Sequence, residues 1–174
     1  MATKIRAMRR ADKRRLMDIL RRTPQFKPGE VLVAEEVIDS CLKDGRHSGY
    51  NTLVAEDENG PAGYICYGPT PLTEDTWDVY WEAVAPERQG RGIGGALMEA
   101  AEKEIRRARG RLILIETSST PSYEKTRRFY ENHGYEIISH IPDFYTPGDD
   151  RLILRKKLGQ DSSQTAGKVQ ARQG

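Results

Sequence analysis

The chain has 174 residues, enough for one domain with its own hydrophobic core; 37% of the residues are hydrophobic and 31% are charged. This composition predicts a soluble globular protein, and no stretch reaches the roughly 18 apolar residues of a membrane span. The net charge of +2 argues against a general nucleic-acid binder. The N-terminus is basic but lacks the apolar core of a secretory signal, and the two cysteines have no metal-binding spacing. We therefore expect a cytoplasmic protein with no membrane partner and no metal site.

The first quarter of the chain predicts one strand and two helices. The segment KIRAM at residues 4–8 is typical of a short strand, and residues 11–22 have the apolar stripe of an amphipathic helix. Residues 28–45 predict a second helix that ends at Gly45. The arginines of the first helix indicate a solvent-facing surface, with an RNA-binding or ribosome-binding face as the alternative.

The rest of the chain alternates between strand and helix patterns. Two strands within residues 50–68 are predicted to meet at a turn formed by Asn59 and Gly60. The predicted elements that follow are a strand at 76–85, a helix from Ile93, a strand at 111–119, a helix at 122–134 and strands at 135–141 and 151–158.

This order of elements predicts the fold class. Consecutive antiparallel strands are mixed with βα crossovers, so we expect an α+β protein with three layers, α/β/α. Its central sheet should be mixed but mostly antiparallel, with about seven strands and helices on both faces. Residues 1–158 form the predicted single domain, and residues 159–174 have the composition of a disordered tail.

The stretch PERQGRGIGGAL, residues 86–97, predicts a phosphate site. A glycine-rich turn that opens a helix exposes backbone N–H groups at the positive end of the helix dipole. Arg88 and Arg91 add positive charge. A nucleoside-triphosphate loop is excluded because Ala96 and Leu97 follow where Lys and Ser or Thr are required. A literal GxGxxG is present, but three antiparallel strands precede it and only one βα unit follows, which disfavours a dinucleotide fold.

Two motifs resemble the GNAT superfamily of N-acetyltransferases. The superfamily's acyl-CoA loop, (Q/R)xxGx(G/A), matches Gln89, Gly92 and Gly94, and its FYxxxGF element resembles FYENHGY at residues 129–135. The resemblance covers residues 3–158 in organisation. It implies the acyl-CoA N-acyltransferase fold and transfer of an acetyl group from acetyl-CoA to a primary amine within a ternary complex, without a metal.

The resemblance also implies which residues contact acetyl-CoA. In this superfamily the pantetheine arm bonds to exposed strand backbone, here at Ala83 and Val84, like an added strand. Tyr123 stands where many relatives have a cofactor-contacting asparagine. Thr117 and Ser118 are candidates to donate to the cofactor or to cap the next helix. The pyrophosphate is expected on the backbone of Gln89, Gly90, Arg91, Gly92, Ile93, Gly94 and Gly95.

The implied chemistry needs a base and an acid. Tyr130 of the FYxxxGF-like element is the expected donor of a proton or hydrogen bond to the departing sulfur. Glu116, which corresponds to the base of ribosomal-protein alanine acetyltransferases, is favoured as the base over Glu82, with Asp78 or a water chain as the other options. In each case the alternative is an ordinary ion pair with an arginine. Alternation along its strand places Glu82 on one face with Asp78 and Tyr80.

The resemblance implies an acceptor groove lined by the first helices and by the loop at residues 140–150. Its aromatic and acidic residues, among them Tyr145, suit a cationic amine, although Asp149 and Asp150 are also ordinary turn formers. With Asp78 and Tyr80, Tyr145 is a predicted substrate-binding residue. A small cationic amine is the favoured acceptor. A protein or peptide acceptor and a non-catalytic acyl-CoA-binding module are the alternatives, and the protein could be a monomer or a homodimer.

Overall fold

A computed structural model describes residues 3–159, in which one seven-stranded sheet carries four α-helices. The helices are α1 (Lys13–Arg22), α2 (Pro28–Asp44), α3 (Ile93–Arg107) and α4 (Glu124–Asn132). The strands are β1 (Lys4–Ala7), β2 (Asn51–Asp57), β3 (Gly60–Pro69), β4 (Thr76–Val84), β5 (Leu112–Ser118), β6 (Glu136–Thr146) and β7 (Asp149–Lys157). The tail predicted at 159–174 lies outside the described residues except for Gly159.

The strand order is β1-β2-β3-β4-β5-β7-β6, and each neighbouring pair is antiparallel except β4 and β5. β2, β3 and β4 form a meander, whereas α3 is the crossover that joins the parallel strands β4 and β5. The predicted α+β class, with a mixed and mostly antiparallel sheet of seven strands, is confirmed.

Each face of the sheet has its own hydrophobic core. α1 and α2 cover one face and pack on Tyr64 and Cys66 of β3. α3 and α4 cover the other face, where Ile65 and Tyr67 of the same strand belong to the core. Because side chains alternate along a strand, β3 supplies both cores, and the predicted helices on both faces are confirmed.

α1 begins at Lys13, two residues later than predicted. Residues 10–12 form a tight 3₁₀ turn instead, because the carboxylate of Asp12 is engaged on the side of β1. It accepts hydrogen bonds from the Arg6 guanidinium at 2.7 and 2.9 Å and from the backbone N–H of Arg9 at 2.7 Å. These bonds satisfy a carboxylate that is only 4% exposed.

Several basic residues of α1 are held in ion pairs. Arg15 and Arg22 each lie 3.0 Å from Asp18, and they contact Glu87 at 3.0 and 3.1 Å. Hydrogen bonding from Arg22 lowers the pKa of Glu87 to about 2. Glu87 directly precedes the glycine loop, so these pairs fasten α1 to the start of that loop. The contacts favour the interpretation of the α1 arginines as a solvent-facing surface, in which Arg15 and Arg22 are ion-paired.

β4 and β5 pair only along their first halves. Their parallel register runs from Thr76 opposite Leu112 to Val79 opposite Ile115. Beyond these pairs, β4 continues to residue 84 and β5 to residue 118. The two strands therefore diverge, and backbone groups on both sides face the gap between them.

A β-bulge lies in β4 at the point where the strands separate. In the pairing with β3, Val79 is opposite Tyr67 and Trp81 is opposite Cys66, so Tyr80 is the extra residue. Val79 belongs to the core under α3, whereas Trp81 packs against the core under α1 and α2. Strict alternation would have put both on one face, so the bulge reverses the direction of the side chains that follow.

β6 is longer than predicted. It runs to Thr146, so most of the predicted loop at residues 140–150 is strand, and Asp149 and Asp150 begin β7. A register shift and the positive φ of Asp143, +52°, mark a bulge within this hairpin. The pairing resumes after the bulge, where Thr146 lies opposite Asp149.

Two structural findings bear on partners and metals. None of the helices within residues 3–159 is long and apolar enough to cross a membrane. In the same part of the chain, no group of three or more His, Cys, Asp or Glu side chains is arranged to hold a metal ion.

Candidate active site

A cavity of about 670 Å³ occupies the gap between β4 and β5. We call its donor side the wall formed by residues 82–95, by Thr117 and by α4 residues 125–133. The acceptor side consists of residues 23–30, together with Glu116, Tyr123, Tyr145 and Asp149.

Most residues predicted for the site line this cavity: Tyr80, Glu82, Ala83, Val84, Gln89, Gly90, Gly92, Ile93, Gly94, Gly95, Glu116, Tyr123, Tyr130 and Tyr145. Asp78 does not, because it lies where β4 and β5 are still paired, and its carboxylate accepts a hydrogen bond from Thr70 Oγ1 at 2.6 Å. Arg91 is also outside the cavity wall. Arg88 is in the wall instead, 3.4 Å from the Asp57 carboxylate.

The glycine loop presents a surface suited to an anion. Gly92 has a φ of +77°, a conformation that side chains disfavour, and a Cβ added there would meet no atom within 4 Å. α3 begins at the next residue, and the N–H groups of its first turn have no acceptor within the helix. An open backbone at the positive end of a helix dipole can hold a phosphate group.

Glu82 has a carboxylate oxygen buried in the cavity wall. Its Oε1 lies 2.9 Å from the position that a Cβ of Gly94 would take, so the carboxylate rests against the first turn of α3. The oxygen is buried and has no hydrogen-bond partner among residues 3–159. Burial raises the pKa of Glu82 to about 8, because water no longer stabilises the charged form. A carboxyl group with this pKa can exchange a proton near neutral pH.

The expectation that Glu82 shares a face with Asp78 and Tyr80 is wrong. The Tyr80 ring packs edge-on against Tyr50 at 5.2 Å, on the side of α1 and α2. Glu82 instead contacts Gly94 of α3 on the opposite face. The bulge at Tyr80 is the physical reason, because it shifts the alternation of β4 by one residue.

Tyr130 of α4 faces the same part of the cavity as Glu82. The side chain is 7% exposed, and burial together with the nearby charge of Glu82 raises the pKa of Tyr130 above its ordinary value. The hydroxyl therefore keeps its proton at neutral pH. Edge-on contacts with Phe129 at 5.4 Å and Tyr135 at 6.0 Å hold the ring.

Glu116 differs from Glu82 in its surroundings. Its side chain is 52% exposed and lies 3.4 Å from the Arg151 guanidinium. Ile115, the preceding residue, packs in the same core as Tyr130, so alternation turns Glu116 to the opposite face. Glu116 is thus on the acceptor side, where its charge contributes to the raised pKa of Tyr145.

Two contacts close the acceptor side. The Tyr123 hydroxyl donates to the backbone carbonyl of Gln25 at 2.8 Å, and Lys27 Nζ lies 3.8 Å from Asp149 Oδ2. Tyr123 therefore uses its polar group to tie residues 23–30 to the start of α4. Its ring lines the cavity, but its hydroxyl is bonded to Gln25. The asparagine that many relatives have at this position is expected to contact the cofactor instead.

The two aspartates at the start of β7 hold two segments together, which corrects their interpretation as turn formers. Ser118 Oγ donates to the Asp149 carboxylate, and Ser119 Oγ accepts the backbone N–H of Asp150 at 2.9 Å. The Asp150 carboxylate also accepts the N–H of Asp143 at 2.8 Å. These bonds join the end of β5 to the β6–β7 hairpin.

Sequence analysis missed several polar residues of the cavity wall: Gln25, Lys27, Glu30, Lys125 and His133. The position of His133 before Gly134 predicts no more than a residue at the end of a helix. In the structure its Nδ1 lies 2.7 Å from the Phe129 carbonyl, and its Nε2 is 3.0 Å from the Cβ position of Gly95. The spacing of four residues from Phe129 on one helix face was the available signal.

Comparisons with known proteins agree with this architecture. The family described as acetyltransferase (GNAT) domain matches residues 48–137, just over half of the chain. A GNAT-family acetyltransferase structure from Desulfovibrio desulfuricans is 40% identical in sequence, with 91% of this chain and 100% of that chain covered and a TM-score of 0.88. No curated protein sequence matches the chain significantly.

More distant structures share the fold. A ribosomal-protein-alanine N-acetyltransferase from Brucella melitensis is 20% identical, with 89% of this chain and 99% of that chain covered and a TM-score of 0.71. An aminoglycoside 6′-N-acetyltransferase complexed with coenzyme A is 22% identical, with 88% and 96% covered and a TM-score of 0.70. The family match and the 40% identical structure show that the chain belongs to the GNAT family of acetyltransferases.

Proposed function

We propose that the protein transfers an acetyl group from acetyl-CoA to a primary amine, by direct attack within a ternary complex. One observation carries this proposal: the carboxylate of Glu82 and the buried ring of Tyr130 lie close together in the cavity. Both are beside the glycine loop, which is suited to an anion. A small cationic amine is the favoured acceptor.

The donor side fits acetyl-CoA. The open backbone at Gly92 and the free N–H groups of the first turn of α3 suit the pyrophosphate. The second half of β4 is not paired with β5, so the backbone groups of Ala83 and Val84 can form hydrogen bonds with the amides of a pantetheine arm. The Val84 carbonyl accepts a hydrogen bond from Gln89 Nε2 at 3.2 Å, a bond that a pantetheine amide would share or replace. Bound acetyl-CoA supplies an acetyl group on a thioester.

Glu82 is the proposed base, in preference to Glu116. An alkyl ammonium has a pKa near 10.4, so the amine must lose protons before and during attack. A carboxyl group with a pKa of about 8 can take a proton from nitrogen near neutral pH, whereas the Glu116 side chain is 52% exposed and paired with Arg151. Glu82 also lies on the face that carries Tyr130, whereas Glu116 lies on the opposite one.

Tyr130 is the proposed acid. Its raised pKa keeps the hydroxyl protonated, so it can give a proton or a hydrogen bond to the departing sulfur. The proton that Glu82 receives from nitrogen can then restore Tyr130. The two groups thus start in opposite protonation states when Glu82 is ionised.

The acceptor side supports a cationic substrate. The carboxylates of Glu30, Glu116 and Asp149 lie around the rings of Tyr123 and Tyr145. Such an arrangement attracts an ammonium group and can hold it by cation–π contact.

The experiment measures acetyl-CoA-dependent thiol release with 1,4-diaminobutane, with kanamycin and with a peptide that begins with alanine. We expect amine-dependent release with 1,4-diaminobutane and a product heavier by one acetyl group. Thiol release with the peptide, but with neither 1,4-diaminobutane nor kanamycin, would identify a protein acceptor. Binding of acetyl-CoA, seen as a rise in melting temperature, without release for any amine would contradict the enzymatic proposal and support a non-catalytic module.

A further inference from the structure

Two buried polar atoms of the cavity wall have no hydrogen-bond partner within residues 3–159. One is Glu82 Oε1, and the other is Thr117 Oγ1. Thr117 is only 5% exposed, and both residues line the same cavity. A buried hydroxyl without a partner destabilises the folded protein, so Thr117 at this place indicates a ligand that completes its hydrogen bonding.

The two atoms belong to residues that face each other across the gap. Ile115 is opposite Val79 in the last parallel pair, and Thr117 follows two residues later on the same face. β4 takes three residues to reach Glu82, but one of them is the bulge residue Tyr80. The bulge therefore brings Glu82 level with Thr117, and both side chains point toward α3 and α4.

Thr117 differs from the serines that follow it. Ser118 Oγ donates to Asp149 and accepts the N–H of Thr120 at 3.1 Å. Ser119 Oγ accepts the N–H of Asp150 at 2.9 Å. The serine hydroxyls hold the loop in place, whereas the Thr117 hydroxyl has no such structural duty among the described residues.

We propose that Thr117 Oγ1 and Glu82 Oε1 together bind the acceptor nitrogen and thereby select primary over secondary amines. This assignment rests on the proposed function. A neutral primary amine has two N–H groups and one lone pair. One N–H donates to Glu82 and the other to Thr117, so the lone pair is left for the thioester carbon.

The protons balance in this arrangement. The ammonium first releases one proton to water. As the C–N bond forms and the C–S bond breaks, nitrogen gives a second proton to Glu82, and Tyr130 gives its proton to sulfur. The proton on Glu82 then returns to Tyr130, and the third N–H, the one bonded to Thr117, remains in the amide product.

A secondary amine cannot make the same two bonds. It has one N–H in its neutral form, so its second alkyl group would face Thr117 and leave the hydroxyl buried without a partner. A site built to bind an N–H rejects an analogue that lacks one, because its own polar group stays unpaired.

The test compares Thr117→Val, which keeps the shape and removes the hydroxyl, with Thr117→Ser, which keeps the hydroxyl. The probes are 1,4-diaminobutane against its N,N′-dimethyl derivative, and an alanine-starting peptide against its N-methylalanine counterpart. We expect Thr117→Val to lower kcat on the primary amines about tenfold and to bring the primary-to-secondary rate ratio close to one. Thr117→Ser should keep the ratio.

An unchanged ratio in Thr117→Val, or an equal loss in both variants, would overturn the assignment of Thr117 while leaving the proposed function intact. A purely structural hydroxyl would alter the melting temperature of Thr117→Val and leave the ratio unchanged. A wild-type protein that acetylates neither primary amine would overturn the proposed function and this inference with it.

Discussion

The donor side and the acceptor side of the cavity are built from different parts of the chain and offer different chemical groups. Residues 82–95 form most of the donor side as one continuous stretch, and they offer mainly backbone groups at Gly92 and along β4. The acceptor side combines residues 23–30 with side chains from β5, the start of α4, β6 and β7. One side is local in sequence, whereas the other exists only after the chain has folded.

This difference has a chemical consequence. Backbone N–H groups at a helix start bind phosphate whatever side chains surround them, so the donor site depends on a few glycines. The acceptor site depends on the charge and shape of side chains such as Glu30 and Tyr145. The catalytic candidates Glu82 and Tyr130 lie on the donor side, so substitutions on the two sides should affect different kinetic quantities.

The largest effect is expected for Glu82→Gln. Loss of the base should lower kcat about 10²–10³-fold and remove the inflection near pH 8 that the ionised carboxylate adds to kcat/KM. The rise in kcat/KM that remains should reflect only deprotonation of the amine, whose pKa is near 10.4. Glu116→Gln is the matched acceptor-side variant and should lower kcat less than about tenfold. Steady-state rates between pH 6 and 9.5 measure both, and a larger loss in Glu116→Gln would move the base to that residue.

Gly92→Glu should nearly abolish donor binding. A carboxylate at the start of α3 repels the pyrophosphate, so kcat/KM for acetyl-CoA should fall about 10²-fold, and acetyl-CoA should no longer raise the melting temperature. Gly49→Glu is the matched control, because Gly49 has a φ of +81° and open surroundings outside the cavity wall. Thermal melts with and without acetyl-CoA would count against the loop assignment if both variants kept the rise.

Tyr130→Phe should lower kcat about 10–10²-fold with little change in either KM, since it removes a proton donor that acts only when sulfur departs. Tyr145→Phe, on the acceptor side, should instead change the KM for the amine by a few fold. Steady-state kcat and KM values for both variants test whether the donor side governs the chemical step and the acceptor side governs amine binding. Equal kcat values for Tyr130→Phe and the wild type would remove Tyr130 from the chemistry.

The smallest effect is a gain in stability. Because burial raises the pKa of Glu82 to about 8 from an ordinary 4.5, the folded state holds a proton that the unfolded state releases, and stability falls as pH rises from about 4.5 through about 8. The cost above pH 8 is on the order of 5 kcal/mol at most. Glu82→Gln should therefore raise the melting temperature by several degrees at pH 9 and hardly at all at pH 4.5. Melting curves at the two pH values, with Glu116→Gln for comparison, test this dependence.

Local patterns were sufficient for the donor loop and for the order of elements. The glycines before α3 and the FYxxxGF-like element each occupy one continuous stretch of the chain. The helices and strands around them follow one another in the predicted order. The end of the last hairpin was predicted less well. Asp149 and Asp150 have the composition of a turn, yet they begin β7, where they are hydrogen-bonded to Ser118 and Ser119. The Asp150 carboxylate also accepts the N–H of Asp143 across the hairpin.

The choice between Glu82 and Glu116 shows the same limit. Alternation along β4 assigned Glu82 to the face of Tyr80, and one extra residue at the bulge was enough to reverse this assignment. Bulges leave a weak signal in sequence, because they depend on the register with the neighbouring strand.

The sequence by itself determined the fold class, the glycine loop and the presence of Tyr130, because each depends on side-chain periodicity or on a short contiguous motif. Only the tertiary structure decided that Glu82 is buried beside Tyr130, that it lies level with Thr117, and that Glu116 is turned to the other face. These facts come from strand register, from the divergence of β4 and β5 and from desolvation, which are properties of segments brought together from distant parts of the chain.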